Sequence, residues 1–189
     1  MSGKSTVARM LSDLGAAVID ADKVGHECYR SGTEGWEKVV AAFGKEILGS
    51  DNEMDRAKLS AVVFGDDGTL HKLNYVMHPI IRKSVEEKIG QFEDEGVGVV
   101  VVEAPVLLEA GWSDLFDRIW VTAVPEEIAV NRFSQRSGLS RQEAARRIKS
   151  QMSSKERIKH ADSVIDTSRS IGQTRADVEK LWAELKGPG

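Results

Sequence analysis

The first residues along the chain with an evident chemistry are Gly3-Lys4-Ser5-Thr6. They match the second half of the phosphate-binding pattern Gly-x-x-x-x-Gly-Lys-Ser/Thr. Val7, Leu11 and Leu14 recur behind them at helical spacing and Gly15 ends the run, which predicts an amphipathic helix over 4–14 that opens on the motif. Backbone N–H groups at such a helix start attract phosphate oxygens, a lysine there reaches the transferred phosphoryl, and a serine hydroxyl there ligates magnesium. Ser2 to Thr6 therefore read as a nucleotide site, with Lys4 acting in transfer and Ser5 on the metal. A tetrapeptide of this kind also arises by chance at surface helix starts, so its surroundings carry the argument. The first Gly of the pattern would fall three residues before Met1, so the expectation is a chain that begins inside its own phosphate loop.

Other residues could add chemistry. Ala16 to Ile19 read as a buried strand that delivers Asp20 and Asp22 at its carboxyl end, where either acid serves a reaction or caps the next helix. Glu103 closes the β-branched run Val99–Val102, a place suited to holding magnesium through water or simply to a solvated strand end. His78 precedes Pro79, which marks a helix start, and no second ligand stands at i+4, so an acceptor-pocket role fits it better than metal ligation. From Val130 to His160 nine Lys or Arg face two acids, a net +7 in a chain of net −4, which leaves −11 on the rest. A local positive surface on an acidic body suits a compact polyanion. The plain alternative is a solvated basic helix face.

The elements that must position these groups alternate. Helices are expected over 34–43, 55–64 and 69–94, separated by clusters such as Gly49–Asn52 and Asp66–Gly68. Strands are expected at Val97–Glu103, covered on both faces, at Arg118–Val124 and at Ser163–Asp166. Pro125 opens a helix to about Arg136, Gly138 breaks it, Ser140 caps a basic helix over 141–150, and short helical pieces follow from Lys155 to His160. The closing helix buries Val178, Leu181, Trp182 and Leu185. Strands alternating with helices indicate an α/β layered fold with a doubly wound parallel sheet, interrupted by a helical insertion.

Composition narrows the class. A chain of 189 residues, 41% apolar and 30% charged with 4 Pro, has enough material for one globular core. Its apolar runs last a handful of residues, far short of the roughly 20 that a membrane span needs. One cysteine, Cys28, excludes an internal disulfide, and the first residues carry no secretory pattern, so the cytoplasm is the expected compartment. A nucleic-acid module fits poorly, because Phe133 alone interleaves with the basic segment. Trp36 and Trp112 either stack on a base or pack, and packing is favoured.

Taken in order, the motifs resemble dephospho-CoA kinase, a P-loop kinase family of coenzyme A synthesis. The matching pieces are Ser2–Ala8, Leu14-Gly15 through Asp22, His78–Ile81, Val102–Glu109, Arg132, Arg136, Arg147, Gln151, Arg157 and Ala161–Ile165, spanning nearly the whole chain. The resemblance implies a three-layer P-loop kinase fold, with a nucleotide-binding core over 1–24, 96–130 and 161–189, a helical acceptor region over 25–95 and a basic lid over 131–160 carrying Arg141, Arg147 and Arg157. It implies ATP and magnesium, with dephospho-CoA phosphorylated on its ribose 3'-hydroxyl. Asp22 becomes the general base, Arg132 and Arg136 the nucleotide-side arginines, Asp22, His78, Leu107 and Glu109 the acceptor contacts, and Ser5 with Glu103 the metal side. Each arginine otherwise pairs with the acidic body. No nucleic acid or membrane partner is expected, and the chain should be a monomer or a weak homo-oligomer. Val106 stands in a usual Leu place, Thr167 where Asn is usual and Arg169 where Gly is common, which bears on the nucleobase-side loop. Another small-metabolite or nucleoside kinase, or a noncatalytic nucleotide- or CoA-binding remnant, are the alternatives.

Overall fold

The computed structural model describes residues 2–63 and 67–187. They divide into two compact units, one of residues 1–18 with 106–189 and one of residues 19–105.

The first unit opens with helix α1 (Lys4–Asp13), which buries Val7, Ala8, Met10 and Leu11 on one stripe, as its helical spacing dictates. Strands β3 (Trp120–Ala123) and β4 (Ser163–Asp166) pair in parallel, with Trp120 opposite Ser163 and Ala123 opposite Asp166. The Asp162 carboxylate secures the start of that ladder by accepting the Ile119 N–H at 2.7 Å, and this bond holds its acid strength above that of an ordinary carboxyl. Between the strands lie α6 (Glu126–Ser137), α7 (Arg141–Lys149) and the short α8 (Ser154–Ile158). Gly138 ends α6 in the left-handed region at φ 70°, and Ser140 with Glu143 forms a reciprocal capping box at the start of α7. The closing helix α9 (Ile171–Lys186) packs on β4 and on α1, with Arg175 reaching Asp13 at 2.8 Å. Ile165 and Val178 are fully buried at the centre of the unit. Trp182 is buried as expected, but Leu185 is 39% exposed and Thr174 takes an inner place instead, because the buried stripe runs through 174, 178 and 182 at steps of four and leaves the last turn to solvent.

The second unit is mostly helical. Strand β1 (Ala17–Asp20), which crosses the division between the units, pairs with β2 (Val100–Glu103). The four β2 residues are each half-buried, so the expected cover on both faces is incomplete; among the described residues β1 is the strand that pairs with it. Helices α2 (Ala21–Cys28), α3 (Glu34–Phe43) and α4 (Arg56–Val63) gather against α5 (Asp67–Asp94). Their shared core is Val39, Ile47, Met77 and Val85, all at most 2% exposed. Gly35 is required at the α2–α3 approach, since a Cβ there would overlap the Cys28 carbonyl oxygen. Several boundaries differ from the sequence reading, among them the start of β2, at Val100 rather than Val97. Asp67 and Gly68 belong to α5, while residue 64, expected to end α4, and Asp66 lie outside the described residues. Pro79 does not begin a helix but sits inside α5. It removes the N–H that would serve the Tyr75 carbonyl, and Tyr75 is 84% exposed, so water can take that partner's place while packing keeps the helix whole.

Candidate active site

The phosphate motif sits where a helix begins without a side-chain cap. Gly3 is the N-cap of α1 at φ 83° and ψ 16°, a left-handed conformation that costs glycine little, and its carbonyl accepts the N–H groups of Thr6 and Val7 at 3.1 Å each. No side chain caps α1 and no acid occupies its first turn. By contrast Asp20, Thr33, Ser140, Ser153 and Ser170 cap α2, α3, α7, α8 and α9. The start of α1 presents its positive dipole end with no side-chain cap among the described residues, an arrangement that suits an anion. Ser5 and Thr6 are exposed and Lys4 is half-buried.

The loop entering α1 is held by Thr167, just past β4. The buried Thr167 hydroxyl donates to the Ser2 carbonyl at 2.7 Å, and the Ser2 and Thr122 hydroxyls share a bond of 2.6 Å. Arg132, on α6, donates through Nη2 to the Thr167 carbonyl at 2.8 Å. Its helix neighbour Arg136 is exposed, and its side chain, like that of Arg141 on α7, makes no hydrogen bond or ion pair among the described residues. Sequence reasoning placed Arg132 and Arg136 on the nucleotide side but missed Thr167 as the residue that ties Arg132 to the loop; a hydroxyl residue directly after a strand-end acid was the available signal.

Glu109 and Arg157, assigned to the acceptor loop and the lid, meet in the same unit. Arg157 Nη2 donates to Glu109 Oε1 at 2.9 Å and to Gln151 Oε1 at 3.3 Å, and the Met152 N–H also reaches Glu109 at 3.3 Å. Arg157 Nε is buried with no acceptor among the described residues. Leu107 is half-buried and its carbonyl accepts the N–H of Trp112, a residue that packs at 3% exposure. Arg147 is exposed at the end of α7. Arg169 turns to Asp177 at 2.7 Å and to Asp166 at 3.4 Å.

In the second unit, Asp20 and Asp22 separate cleanly. Asp20 is the cap, accepting the N–H groups of Asp22 and Lys23 at 3.0 and 3.2 Å. Asp22, in the first turn of α2, is exposed, and its carboxylate makes no hydrogen bond or ion pair among the described residues. An acid so placed can accept a proton from an alcohol. His78 is half-buried on α5, and burial holds its imidazole below the ordinary value of 6.5, so it stays neutral near pH 7. Glu103 is half-buried at the carboxyl end of β2. A cavity of about 450 Å³ opens in this unit between α2, α4 and α5, lined by His26, Tyr29, Met54, Leu59 and Leu73 among others. Burial, with a smaller effect from Cys28, pushes the Tyr29 hydroxyl up to about 12. Among the described residues no three His, Cys, Asp or Glu gather as a metal cluster. No described helix is long and apolar enough to cross a membrane.

An α/β fold whose first helix opens on a Gly-Lys-Ser motif belongs to the class of P-loop nucleotide-binding folds, the P-loop kinases among them. A family profile for dephospho-CoA kinase matches residues 1–173. The chain belongs to the dephospho-CoA kinase family. It is 44% identical to the dephospho-CoA kinase of Carboxydothermus hydrogenoformans over 185 residues, covering 98% of this chain and 90% of that protein. It is 39% identical to that of Geobacter sulfurreducens, covering 97% and 93%. Among solved structures, a protein from Thermus thermophilus superposes with a TM-score of 0.81 at 33% identity, covering 98% of this chain and 93% of that one. The dephospho-CoA kinase of Campylobacter jejuni gives 0.71 at 30% identity, covering 97% and 91%.

Proposed function

We infer that this chain transfers the γ-phosphoryl group of ATP to the ribose 3'-hydroxyl of dephospho-CoA, giving coenzyme A and ADP. The observation that carries the reading is the uncapped, acid-free start of α1 behind Gly3, in a member of this family. Phosphoryl transfer asks the protein mainly for positioning and for charge neutralisation at the equatorial oxygens. The first turn of α1 and Lys4 hold the phosphates, and the cations Arg132 and Arg136 balance the charge that develops. Asp22 orients the acceptor hydroxyl and takes its proton, a role suited to a carboxylate with no partner among the described residues. Arg141, Arg147 and Arg157 belong to the segment that excludes water, and the buried Arg157 Nε offers a donor to a ligand oxygen.

Ser5 and Glu103 each offer the oxygen donor that magnesium takes, an ion that needs few protein ligands besides phosphate and water. When bound it supplies neutralising charge on the phosphate oxygens. His78, Leu107 and Glu109 serve the acceptor. Asp22 and His26 lie four apart on α2 and His26 lines the cavity, so we assign that cavity to the part of the acceptor beyond its nucleotide. The chain acts as a monomer or a weak homo-oligomer in the cytoplasm.

The test is ADP release with dephospho-CoA and, in parallel, with adenosine and other nucleotides as acceptors. The expected product gains one phosphate at the ribose 3' position; a preference for a different acceptor by tenfold or more in kcat/KM overturns the assignment.

A further inference from the structure

We propose that Thr167 is a positioning residue for nucleotide binding, joining the phosphate loop to Arg132 so that a helix N-terminus and a cation are set as one piece. The proposal rests on the reading of α1 as the phosphate site. Three observations carry it. The Thr167 hydroxyl has one proton and gives it to the Ser2 carbonyl at 2.7 Å, the residue directly before the N-cap. Its main chain closes the other side, with the N–H donating to the Ala123 carbonyl at 3.0 Å at the end of β3 and the carbonyl accepting from Arg132 Nη2 at 2.8 Å. Arg132 Nη1 also approaches the hydroxyl oxygen at 3.4 Å, so both terminal nitrogens of the guanidinium face this single residue.

The side chain also sets the space above Gly3. A Cβ at Gly3 would lie 3.2 Å from each of Thr167 Cβ, Cγ2 and Oγ1. Thr167 therefore packs over the left-handed residue that starts α1 while bonding the residue before it, and it is 7% exposed. Loss of the hydroxyl proton leaves the Ser2 carbonyl without this donor, and the loop that aims the first N–H groups of α1 is released. Misplacement of such groups by an ångström is enough to reduce phosphate binding severely. Thr167 acts through Ser2 and Arg132 rather than by contact with either substrate.

Thr167→Val keeps the shape and removes the donor. Its ATP dissociation constant, read by calorimetry, should rise about tenfold, the order expected when a buried acceptor loses its partner. The KM for dephospho-CoA should change by less than about twofold, and Thr167→Ser should restore ATP affinity to within about twofold. If the Val variant does not fold, Thr167→Cys, similar in size with a feeble donor, replaces it and should weaken ATP severalfold. ATP affinity within twofold of the parent in a folded Val or Cys variant overturns the proposal, as does an equal rise in both KM values or a failure of Ser to rescue. Lys4→Ala is measured alongside. If it leaves ATP affinity intact, the phosphate-site reading itself falls; if it weakens ATP while Thr167→Val does not, this inference alone falls.

Discussion

On the proposed reading, the unit of residues 1–18 and 106–189 meets its ligand with main chain that other residues hold in place: Gly3 in a left-handed conformation, a helix start without a side-chain cap, and Thr167 gripping the Ser2 carbonyl. In the unit of residues 19–105 the corresponding group is a lone side chain, Asp22, on a helix whose cap is supplied by another residue, Asp20. On that reading the contrast follows from the two proposed ligands. A polyphosphate spreads charge over many oxygens and is best met by several fixed dipoles, which only a shaped backbone can present. A single hydroxyl proton needs one carboxylate whose lone pairs are not already committed. The first device fails when its support is disturbed at a distance, whereas the second fails when one atom is changed.

The strongest test of that contrast is Lys4→Ala, which removes a full charge from the first turn of the backbone device. kcat/KM should fall about 1,000-fold, roughly 4 kcal/mol of transition-state stabilisation, in an ADP-release assay. Gly35→Ala probes the support of the other unit, where the new Cβ meets the Cys28 carbonyl oxygen and backbone must shift. It should cost about 3 kcal/mol in denaturant unfolding. Asp22→Asn keeps the shape and removes the proton acceptor, so kcat should drop about 100-fold with the KM for ATP within twofold. Retention of kcat would show that the free carboxylate is not the base. Asp20→Ala uncaps α2 and should lower stability by about 1 kcal/mol, read as a shift in the unfolding midpoint.

The smallest effect is in pH dependence. Burial lowers the His78 pKa from 6.5, so the folded protein binds that proton less readily than the unfolded chain. The stability linked to His78 is complete above pH 6.5 and is lost as pH falls through its folded value. His78→Gln should flatten the stability profile in that window, measured by thermal unfolding from pH 7.5 to 5. An unchanged profile would show that His78 carries no linked stability in that window, because Asp162 and Asp166, whose hydrogen-bonded carboxyls titrate below the ordinary value of 3.8, act only at more acid pH.

Much of this was legible in the chain because the signals are local. Helix α3 falls at Glu34–Phe43 and β4 at Ser163–Asp166, both as the residue pattern indicates, and Gly138 with Ser140 marks a helix end and a helix start. The motif at Gly3–Thr6 needs four consecutive residues and a helix behind them. Where local rules failed, packing had overridden them. Pro79 is carried inside α5 by the helices gathered on it, and Leu185 loses its inner place because the buried stripe of α9 ends at Trp182.

The sequence by itself determined which elements form, which family the motifs resemble and which residue types are at hand for phosphoryl transfer, since periodicity, capping and glycine placement act over a few residues. The tertiary structure alone decided which of those residues are committed. Asp20 rather than Asp22 spends its carboxylate on a cap, Arg157 pairs with Glu109 across 48 residues, and Thr167 reaches Ser2 across 165. Contacts over such separations depend on how the packed elements bring distant strand and helix ends together, which no short window of sequence encodes.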